Sequence, residues 1–329
     1  MTRRSWAVRG VCAAMATLGL SASLSACGSD NGGSDKKVIG VSVADQKSLF
    51  YVAEVAGIKA EAAKQGYEVK ISSANNDSTL QVNQVNDLLT QQIGSLIFTS
   101  QDSTAAAAGV RAANQANVPV VAVDQRPESG NGKLATYIAT DSVKAANDIC
   151  TYMIQQIGGK GDIAILHGVL GSTAEIQRTK GCQQALAQNP GVKVVAEQNA
   201  DWDETKAFKA SQDILTAHPD LAAVFGESDA MAIGAAKAAQ ASGKKIVAVG
   251  IDGFPTMFDA IESGLTTATE AQQPYKMGQL AVQNAIAFMN GKGSGIPAEQ
   301  WQPTTLINAQ TVKQYNVEQF YGPDARSFK

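Results

Sequence analysis

Short apolar runs alternate with longer amphipathic stretches along the chain from Val38 onwards. Each apolar run has the length of a buried strand, and the stretches between them, rich in Ala, Gln and Lys, have the length of helices. Strands that alternate with helices in this way are typical of βαβ units on parallel sheets. The pattern therefore predicts an α/β fold class.

Two series of strands are predicted. The first comprises residues 38–43, 68–72, 95–99 and 118–123, and the second comprises 134–139, 162–166, 193–197, 222–225, 245–249 and 266–271. The polar stretch DQRPESGNGK (124–133) separates them. We therefore predict two Rossmann-like, doubly wound parallel-sheet lobes of similar plan, which divide near Thr140. Because such sheets bind ligands at the carboxyl ends of their strands, two facing lobes would form the site as a cleft.

The beginning of the chain has the pattern of an export signal. Three arginines precede an apolar, small-residue stretch (11–24), and the run LSAC (24–27) follows. The stretch is shorter than the roughly 20 residues that a membrane span needs. The run resembles the lipobox of bacterial lipoproteins, in which the cysteine is lipidated and becomes the N-terminus. We predict a signal peptide over 1–26, lipidation of Cys27, and an extracytoplasmic location anchored to the membrane.

The export route has two alternatives. The pair Arg3-Arg4 fits a twin-arginine signal loosely, and two arginines are equally common in a general secretory signal. Both routes stay open.

The remaining cysteines form an even pair. Residues 27–37 (CGSDNGGSDKK) are polar and without periodicity, which predicts a flexible tether. Loss of Cys12 with the signal and lipidation of Cys27 leave Cys150 and Cys182, both on predicted helices. An even pair in an oxidising compartment favours a disulfide, and two buried free thiols are the alternative.

Composition and motifs argue against several function classes. The net charge of −3 becomes more negative without the signal arginines, unlike a nucleic-acid-binding surface. No GxGxxG motif follows a strand, and neither a P-loop nor a GxSxG motif occurs. The two histidines, His167 and His218, belong to no cluster with metal-ligand spacing. We expect neither an enzyme nor a cofactor or metal site, and interpret His167 as a structural residue.

Polar and aromatic residues crowd the ends of the predicted strands. Carboxylates and an arginine fork match hydroxyls that both donate and accept, and flat rings suit the C–H faces of a sugar. The pattern predicts a polyhydroxylated ligand. By contrast, Asp141, Asp203 and Asp229 stand just before helices, which predicts that they cap helix N-termini.

Six motifs carry a resemblance to a known family. They are PVVAVDQR (119–126), YIATDSVKAA (137–146), GSTAEIQRTKG (171–181), TAHPDLAAVFGESDAMAIGA (216–235), VAVGIDG (247–253) and TATEAQQP (267–274). From about Val38 to about Ile307 the chain resembles the periplasmic sugar-binding proteins of ABC transporters, in their ribose-binding-protein-like branch. The resemblance implies a type I periplasmic binding protein fold, with two lobes that are joined by three hinge segments and close on one sugar.

The resemblance also implies the ligand contacts. In the first lobe and at its hinge they are Ser48, Phe50, Tyr51, Thr99, Asp124, Gln125 and Thr140. On the side of the second lobe they are Arg178, Trp202, Ser228, Asp252 and Gln272. Asp124, Arg178 and Asp252 are expected to hold hydroxyls, with Phe50 and Trp202 against the carbon faces.

The polar set departs from that of the ribose binders at several positions. Gln125 stands where they carry Arg, and Ser48, Thr99 and Ser228 each replace Asn. Ile251 replaces an aromatic residue. The groups that distinguish individual hydroxyls have therefore changed, which argues against ribose as the ligand.

The resemblance implies the domain organisation and the partners. The expected N-terminal lobe is 38–140 plus 273–301, and the C-terminal lobe is 141–272 plus 302–329. We expect a monomeric solute-binding lipoprotein of an ABC importer, with a monosaccharide or small polyol as ligand and permease subunits as partners. A ligand-controlled repressor would need an N-terminal helix-turn-helix, and this chain has the pattern of an export signal there. A receptor for an autoinducer or for chemotaxis, with the same fold, stays open as the alternative.

We predict that membrane-extracted protein begins at Cys27 and carries diacylglyceryl mass on it, because the thiol of the lipobox is the acceptor of the lipid. Mass spectrometry of the N-terminal peptide measures this. A Cys27→Ser protein should leave the membrane fraction, and equally firm membrane attachment of that variant would contradict the prediction.

Overall fold

The computed structural model describes residues 37–128 and 130–327. Within these ranges the chain forms two six-stranded sheets with helices packed on them, which confirms the predicted α/β class. The predicted signal peptide, Cys27 and the tether up to residue 36 lie outside the described residues. Across the described ranges, no helix combines the length and apolar character needed to cross a bilayer.

The strands follow the apolar runs of the sequence. They are β1 (Val38–Val43), β2 (Glu68–Ser73), β3 (Ser95–Phe98), β4 (Val120–Val123), β5 (Thr136–Thr140), β6 (Gly161–His167), β7 (Val192–Asn199), β8 (Ala223–Gly226), β9 (Val247–Asp252), β10 (Ala268–Ala271), β11 (Glu299–Gln302) and β12 (Thr305–Asn308).

The helices occupy the amphipathic stretches. They are α1 (Leu49–Gln65), α2 (Ser78–Thr90), α3 (Ala107–Gln115), α4 (Ser142–Gln156), α5 (Thr173–Ala187), α6 (Glu204–Ala217), α7 (Asp229–Ala241), α8 (Pro255–Glu262), α9 (Pro274–Met289) and α10 (Glu318–Tyr321). Short 3-10 turns occur at Gly293–Gly295, Val312–Gln314 and Ala325–Ser327.

The two sheets share one plan. The first has the order β11-β5-β4-β3-β1-β2 and is parallel throughout. The second has the order β12-β10-β9-β8-β6-β7 and is parallel except for β12. We call each sheet with its helices the first and the second lobe. The strand order reverses between β1 and β3 and between β6 and β8, and open α/β sheets bind ligands at such a reversal.

The chain passes between the lobes three times. It leaves the first sheet after Thr140 of β5 and enters α4, which packs on the second sheet. It returns from β10 into α9, which packs on the first sheet. Finally it runs from β11 to β12, which lie in different sheets. A hydrogen bond from Gln273 Nε2 to the Pro303 carbonyl (3.1 Å) ties the second passage to the third.

Two features differ from the sequence-based expectation. The strand predicted at 134–139 was grouped with the second series, but β5 pairs with β4 in the first sheet. Neither β11 nor β12 was predicted, because both are short edge strands without a run of apolar residues. Since β11 continues through Gln302, the first sheet extends one residue beyond the expected range 273–301.

Close helix contacts hold each lobe together. A Cβ atom on Gly57 of α1 would lie 2.0 Å from the Tyr275 carbonyl oxygen of α9, so a larger residue would separate these helices. A Cβ on Gly181 of α5 would lie 2.2 Å from the Val143 carbonyl oxygen of α4. The α4 and α5 backbones are therefore in direct contact.

A disulfide joins the same two helices of the second lobe. The Cα atoms of Cys150 on α4 and Cys182 on α5 lie 5.3 Å apart, and both residues are fully buried. The bond links positions 32 residues apart in the sequence. By restricting the unfolded chain, a loop of this size stabilises the folded state by about 3–4 kcal/mol.

Candidate ligand-binding cleft

A cleft of about 780 Å³ lies at the carboxyl ends of the strands of both sheets. Residues that follow β1, β3 and β4 line it on one side, and residues that follow β6 to β10 line it on the other. The cleft is thus located where both strand orders reverse, as parallel topology predicts.

The cleft brings together most of the side chains predicted as ligand contacts. Those that line it are Ser48, Phe50, Tyr51, Asp124 and Gln125 from the first lobe, and Arg178, Trp202, Ser228, Asp252 and Gln272 from the second. The structure places Thr99 and Thr140 outside this lining. Both are buried, and the Thr99 hydroxyl donates to Glu54 Oε1 (2.7 Å).

Arg178 is held by three neighbours in the cleft wall. The arginine lies on α5, whose N-terminus is capped by the Ser172 side chain. Its Nη1 donates to the Glu227 carbonyl and lies 3.6 Å from Asp252 Oδ1. Its guanidinium carbon lies 5.4 Å from the centre of the Trp202 ring, within range of a cation–π contact. Only 4% of Arg178 is exposed, so its charge is buried in the cleft wall.

Asp252 lies between Arg178 and a second buried carboxylate. Its Oδ1 accepts from Gln272 Nε2 (2.8 Å), and its Oδ2 accepts from the Asp229 N–H (3.3 Å). Burial raises the pKa of Asp252, and the nearby Asp229 adds to this, while Arg178 opposes it. A hydrogen-bond donor supplied by a ligand would therefore stabilise the ionised form of Asp252 further.

Asp229 is not the helix cap that the sequence suggested. Ser228 caps α7 instead, since its hydroxyl accepts from the Met231 N–H (3.4 Å). The Asp229 carboxylate is fully buried and accepts from the N–H groups of Gly253 (2.6 Å) and Phe254 (2.8 Å). It fixes the turn that follows Asp252. The caps predicted at Asp141 and Asp203 are confirmed.

Asp124 is the corresponding carboxylate of the first lobe. It follows β4 with a left-handed φ of 54°, a conformation that Asp adopts more readily than most residues. Its Oδ2 accepts from the Tyr51 hydroxyl (3.4 Å). Burial raises its pKa to about 6, although Arg178 and Tyr51 oppose the shift. The two lobes therefore present one desolvated carboxyl group each, with Arg178 near both.

Aromatic rings line both sides of the cleft. Phe50 and Tyr51 meet edge to face, with ring centres 5.5 Å apart. The Trp202 ring lies against Gly168, where a Cβ atom would be 2.0 Å from the ring. Phe254 also lines the cleft and was not predicted. Its position directly after the Asp252-Gly253 turn could have indicated this location from the sequence.

The N-terminus of α5 contacts the first lobe across the cleft. The Thr173 hydroxyl oxygen accepts from the Arg126 N–H (3.2 Å) and lies 3.3 Å from the Ser103 hydroxyl. Gln125 Oε1 accepts from the Ala174 N–H (3.5 Å). Gln125 thus contacts the opposite lobe as well as the cleft, a role that an Arg at this position could not fill because Arg has no acceptor.

One group of side chains has the residue types of a metal site. Ligating atoms of His167, Glu175 and Glu227 lie within 4.8 Å of one another. His167 and Glu227 bond to each other, and Thr179 and the Gly168 N–H donate to Glu227. The acceptor atoms of Glu227 are thus already bonded to donors of the protein itself. We assign it a structural role, in line with the interpretation of His167.

Glu54 is a buried acid behind the first-lobe side of the cleft. It lies on α1 and is fully buried. Its Oε1 accepts from Thr99, while its Oε2 is buried without a hydrogen-bond partner among the described residues. Desolvation raises the pKa of Glu54 from 4.5 to about 8, against the hydrogen bond from Thr99. Glu54 is therefore protonated at neutral pH.

Comparison with known proteins agrees with this geometry. The family model of the periplasmic binding protein domain matches residues 39–293. The ribose import binding protein RbsB of Bacillus subtilis (strain 168) is 36% identical over 264 residues, covering 80% of this chain and 85% of that protein. The xylitol-binding protein of Mycolicibacterium smegmatis is 33% identical over 267 residues, covering 80% and 75% respectively.

Solved structures share the fold closely. An ABC transporter periplasmic solute binding protein from Actinobacillus succinogenes with bound D-allose has a TM-score of 0.80 at 25% identity, covering 84% of this chain and 99% of that one. An ABC transporter solute binding protein from Mycobacterium smegmatis with bound glycerol has a TM-score of 0.79 at 32% identity, covering 84% and 96%. The chain belongs to the periplasmic binding protein family, which indicates an extracytoplasmic location.

The buried acid Glu54 yields a pH-dependent prediction. Between its ordinary pKa of 4.5 and its folded value of about 8, the folded state binds more protons than the unfolded state. The contribution of Glu54 to stability is therefore complete below pH 4.5 and falls as the pH rises to 8. Relative to wild type, Glu54→Gln should gain unfolding free energy on the order of 4 kcal/mol between pH 5 and pH 9. Urea unfolding at pH 5, 7 and 9 measures this.

Glu61→Gln, on the same helix, is the matched control. Hydrogen bonds from Gln65 and Gln283 lower the pKa of Glu61. The difference in unfolding free energy between Glu61→Gln and wild type should therefore stay constant above pH 6. A flat difference for Glu54→Gln as well would show that Glu54 is ionised in the folded protein and would contradict the prediction.

Proposed function

We propose that this protein is the solute receptor of an ABC importer and binds a monosaccharide or small polyol in the cleft. The observation that carries the proposal is the convergence of Asp124, Arg178 and Asp252 in a cleft that also presents Phe50 and Trp202. Carboxylates and a guanidinium form charge-assisted hydrogen bonds to hydroxyls, each worth about 1.5–3 kcal/mol. A handful of these with ring stacking reaches about 8 kcal/mol, or micromolar affinity.

The relatives support this ligand class. Those described above are named for ribose and xylitol, and the solved structures hold D-allose and glycerol. All four are neutral polyhydroxylated molecules, the chemistry inferred from the cleft. They carry the names of binding proteins, which supports a receptor without catalytic activity.

We propose that the lobes close on the ligand by rotation about the three passages near Thr140, Gln272 and Pro303. On this proposal the N-terminal lobe is 38–140 plus 273–302, and the C-terminal lobe is 141–272 plus 303–329. Helix α10 in the last segment packs against helices of both lobes. The contacts of Thr173 and Gln125 across the cleft support it, because such bonds form only when the lobes approach. A ligand that touches both lobes favours the closed arrangement by its extra contacts there.

The proposed cellular setting follows from the sequence. Lipidation at Cys27 would tether a monomeric receptor to the membrane beside the permease subunits of the importer. The 27–37 segment would act as the flexible tether.

Ligand binding tests the proposal directly. Calorimetric titration of pentoses, hexoses, pentitols and tetritols should identify at least one compound with micromolar or tighter affinity. Arg178→Lys keeps the charge but loses the planar fork, so the affinity for that compound should fall by about 10- to 100-fold. Arg126→Lys, at an exposed side chain paired with Glu299, is the control and should bind as wild type does. Absence of binding across the panel would overturn the proposal.

Closure is tested by small-angle scattering. The radius of gyration should fall when the ligand identified by calorimetry is added. Thr173→Val removes the hydroxyl that meets Arg126 and Ser103, so it should weaken binding by about three- to tenfold through loss of the closed state. Thr216→Val, an exposed position on α6, is the control. An unchanged radius at saturating ligand would favour a preformed pocket.

A further inference from the structure

A buried ion-pair network lies behind the second-lobe wall of the cleft. Its centre is the carboxylate of Glu227, which follows β8 and is fully buried. Glu227 Oε1 accepts from the Thr179 hydroxyl (2.6 Å) and faces His167 Nδ1 (3.2 Å). Glu227 Oε2 accepts from the Gly168 N–H (2.8 Å). Neither His167 nor Glu227 lines the cleft, so they cannot act as direct ligand contacts.

The carboxylates around His167 favour a positive charge on its ring. Its Nδ1 faces Glu227, and its Nε2 lies 2.9 Å from Glu197 Oε2 of β7. A neutral imidazole donates from one nitrogen only, so donation to both carboxylates requires the imidazolium. On the α5 side, Glu175 Oε1 lies 3.8 Å from Nδ1, and the Thr179 hydroxyl lies 3.2 Å from it. The pKa of His167 is accordingly raised to about 9, mainly by Glu227 and against burial.

The network connects to two side chains of the cleft. Arg178 Nη1 donates to the backbone carbonyl of Glu227, the same residue whose carboxylate the network holds. The Trp202 ring lies on Gly168, whose N–H donates to that carboxylate. Glu227 is therefore bonded at both places: its carbonyl accepts from Arg178, and its carboxylate accepts from the Gly168 N–H under the Trp202 ring.

We propose that His167 and Glu227 are positioning residues, whose ion pair fixes Arg178 and Trp202 in the orientation in which they meet the ligand. The inference rests on the proposed function, because it takes Arg178 and Trp202 as ligand contacts. It predicts that loss of the charge on His167 alters the cleft without any change to a residue that lines it.

The first test uses the ligand-free protein. In a Trp301→Phe background, Trp202 is the sole tryptophan after the predicted signal peptide, so its emission reports on the guanidinium beside it. Titration from pH 7 to 10.5 should show a change in emission with a midpoint of about 9, as His167 loses its proton. His167→Gln should abolish this step, and His218→Gln, at the other histidine, should retain it.

The second test measures affinity for the tightest-binding compound of the calorimetric panel. Wild type should lose affinity above pH 8, as His167 loses its proton. His167→Gln should weaken binding by about tenfold at pH 7 and should not show this further loss above pH 8. His218→Gln should match wild type in both respects. Unchanged affinity in His167→Gln, or the same emission step in that variant, would overturn the inference.

The two tests separate the inference from the proposed function. If no compound binds, the proposed function fails while the emission titration still decides whether the network orients the cleft. Where His167→Gln does not fold, Glu197→Gln in the Trp301→Phe background takes its place, because Glu197 is half exposed and contacts only the Nε2 side of the ring. Loss of this carboxylate should lower the midpoint of the emission step, and an unchanged midpoint would assign the step to another group and overturn the inference. If compounds bind through Arg178 but no emission step occurs, the function stands and the network has no positioning role.

Discussion

The buried guanidinium of Arg178 is the constraint on which the cleft depends. Asp124 and Asp252 are both desolvated, and the attraction of Arg178 is the largest effect that opposes the rise of the pKa in each. A buried charge is tolerated only when it is paired and hydrogen-bonded, so α5 must present Arg178 at one depth and one angle. The Ser172 cap, the contact of Gly181 with α4 and the adjoining disulfide all act on that helix.

Helix α5 therefore connects three parts of the molecule. Its first turn meets the other lobe through Thr173, its second carries Arg178, and its later turns are bonded to α4 through Cys182. Separation of the lobes would break contacts at the first turn and leave the rest of the helix in place. The second-lobe part of the cleft would thus keep its shape in the open state. The conformational entropy lost on binding would then come mainly from the groups that form contacts between the lobes.

The sequence predicts the cleft to the extent that its residues directly follow strands. A residue at the end of a parallel strand or directly after it lies at the carboxyl edge of the sheet, which is why Asp124 and Asp252 were found. Asp252 and Thr140 are each the last residue of their strand, but the side chain of Asp252 lines the cleft whereas that of Thr140 is buried away from it. The sequence does not show which way the last side chain of a strand points. The cap of α7 was assigned to Asp229 instead of Ser228 because the start of the helix was misplaced by one residue. The His167–Glu227 pair could not be predicted, since it depends on β6 and β8 becoming neighbours.

The three passages between the lobes also bear on the order in which the chain can fold. The parallel strands β6 to β10 of the second sheet form one continuous stretch of sequence, so they can pair as soon as Ala271 is available. The first sheet cannot be completed then, because α9 and the edge strand β11 come from beyond residue 273. Contacts between such distant segments form slowly, because long loops must close first. A chain that emerges gradually from a membrane pore would therefore assemble its later lobe before its earlier one is finished.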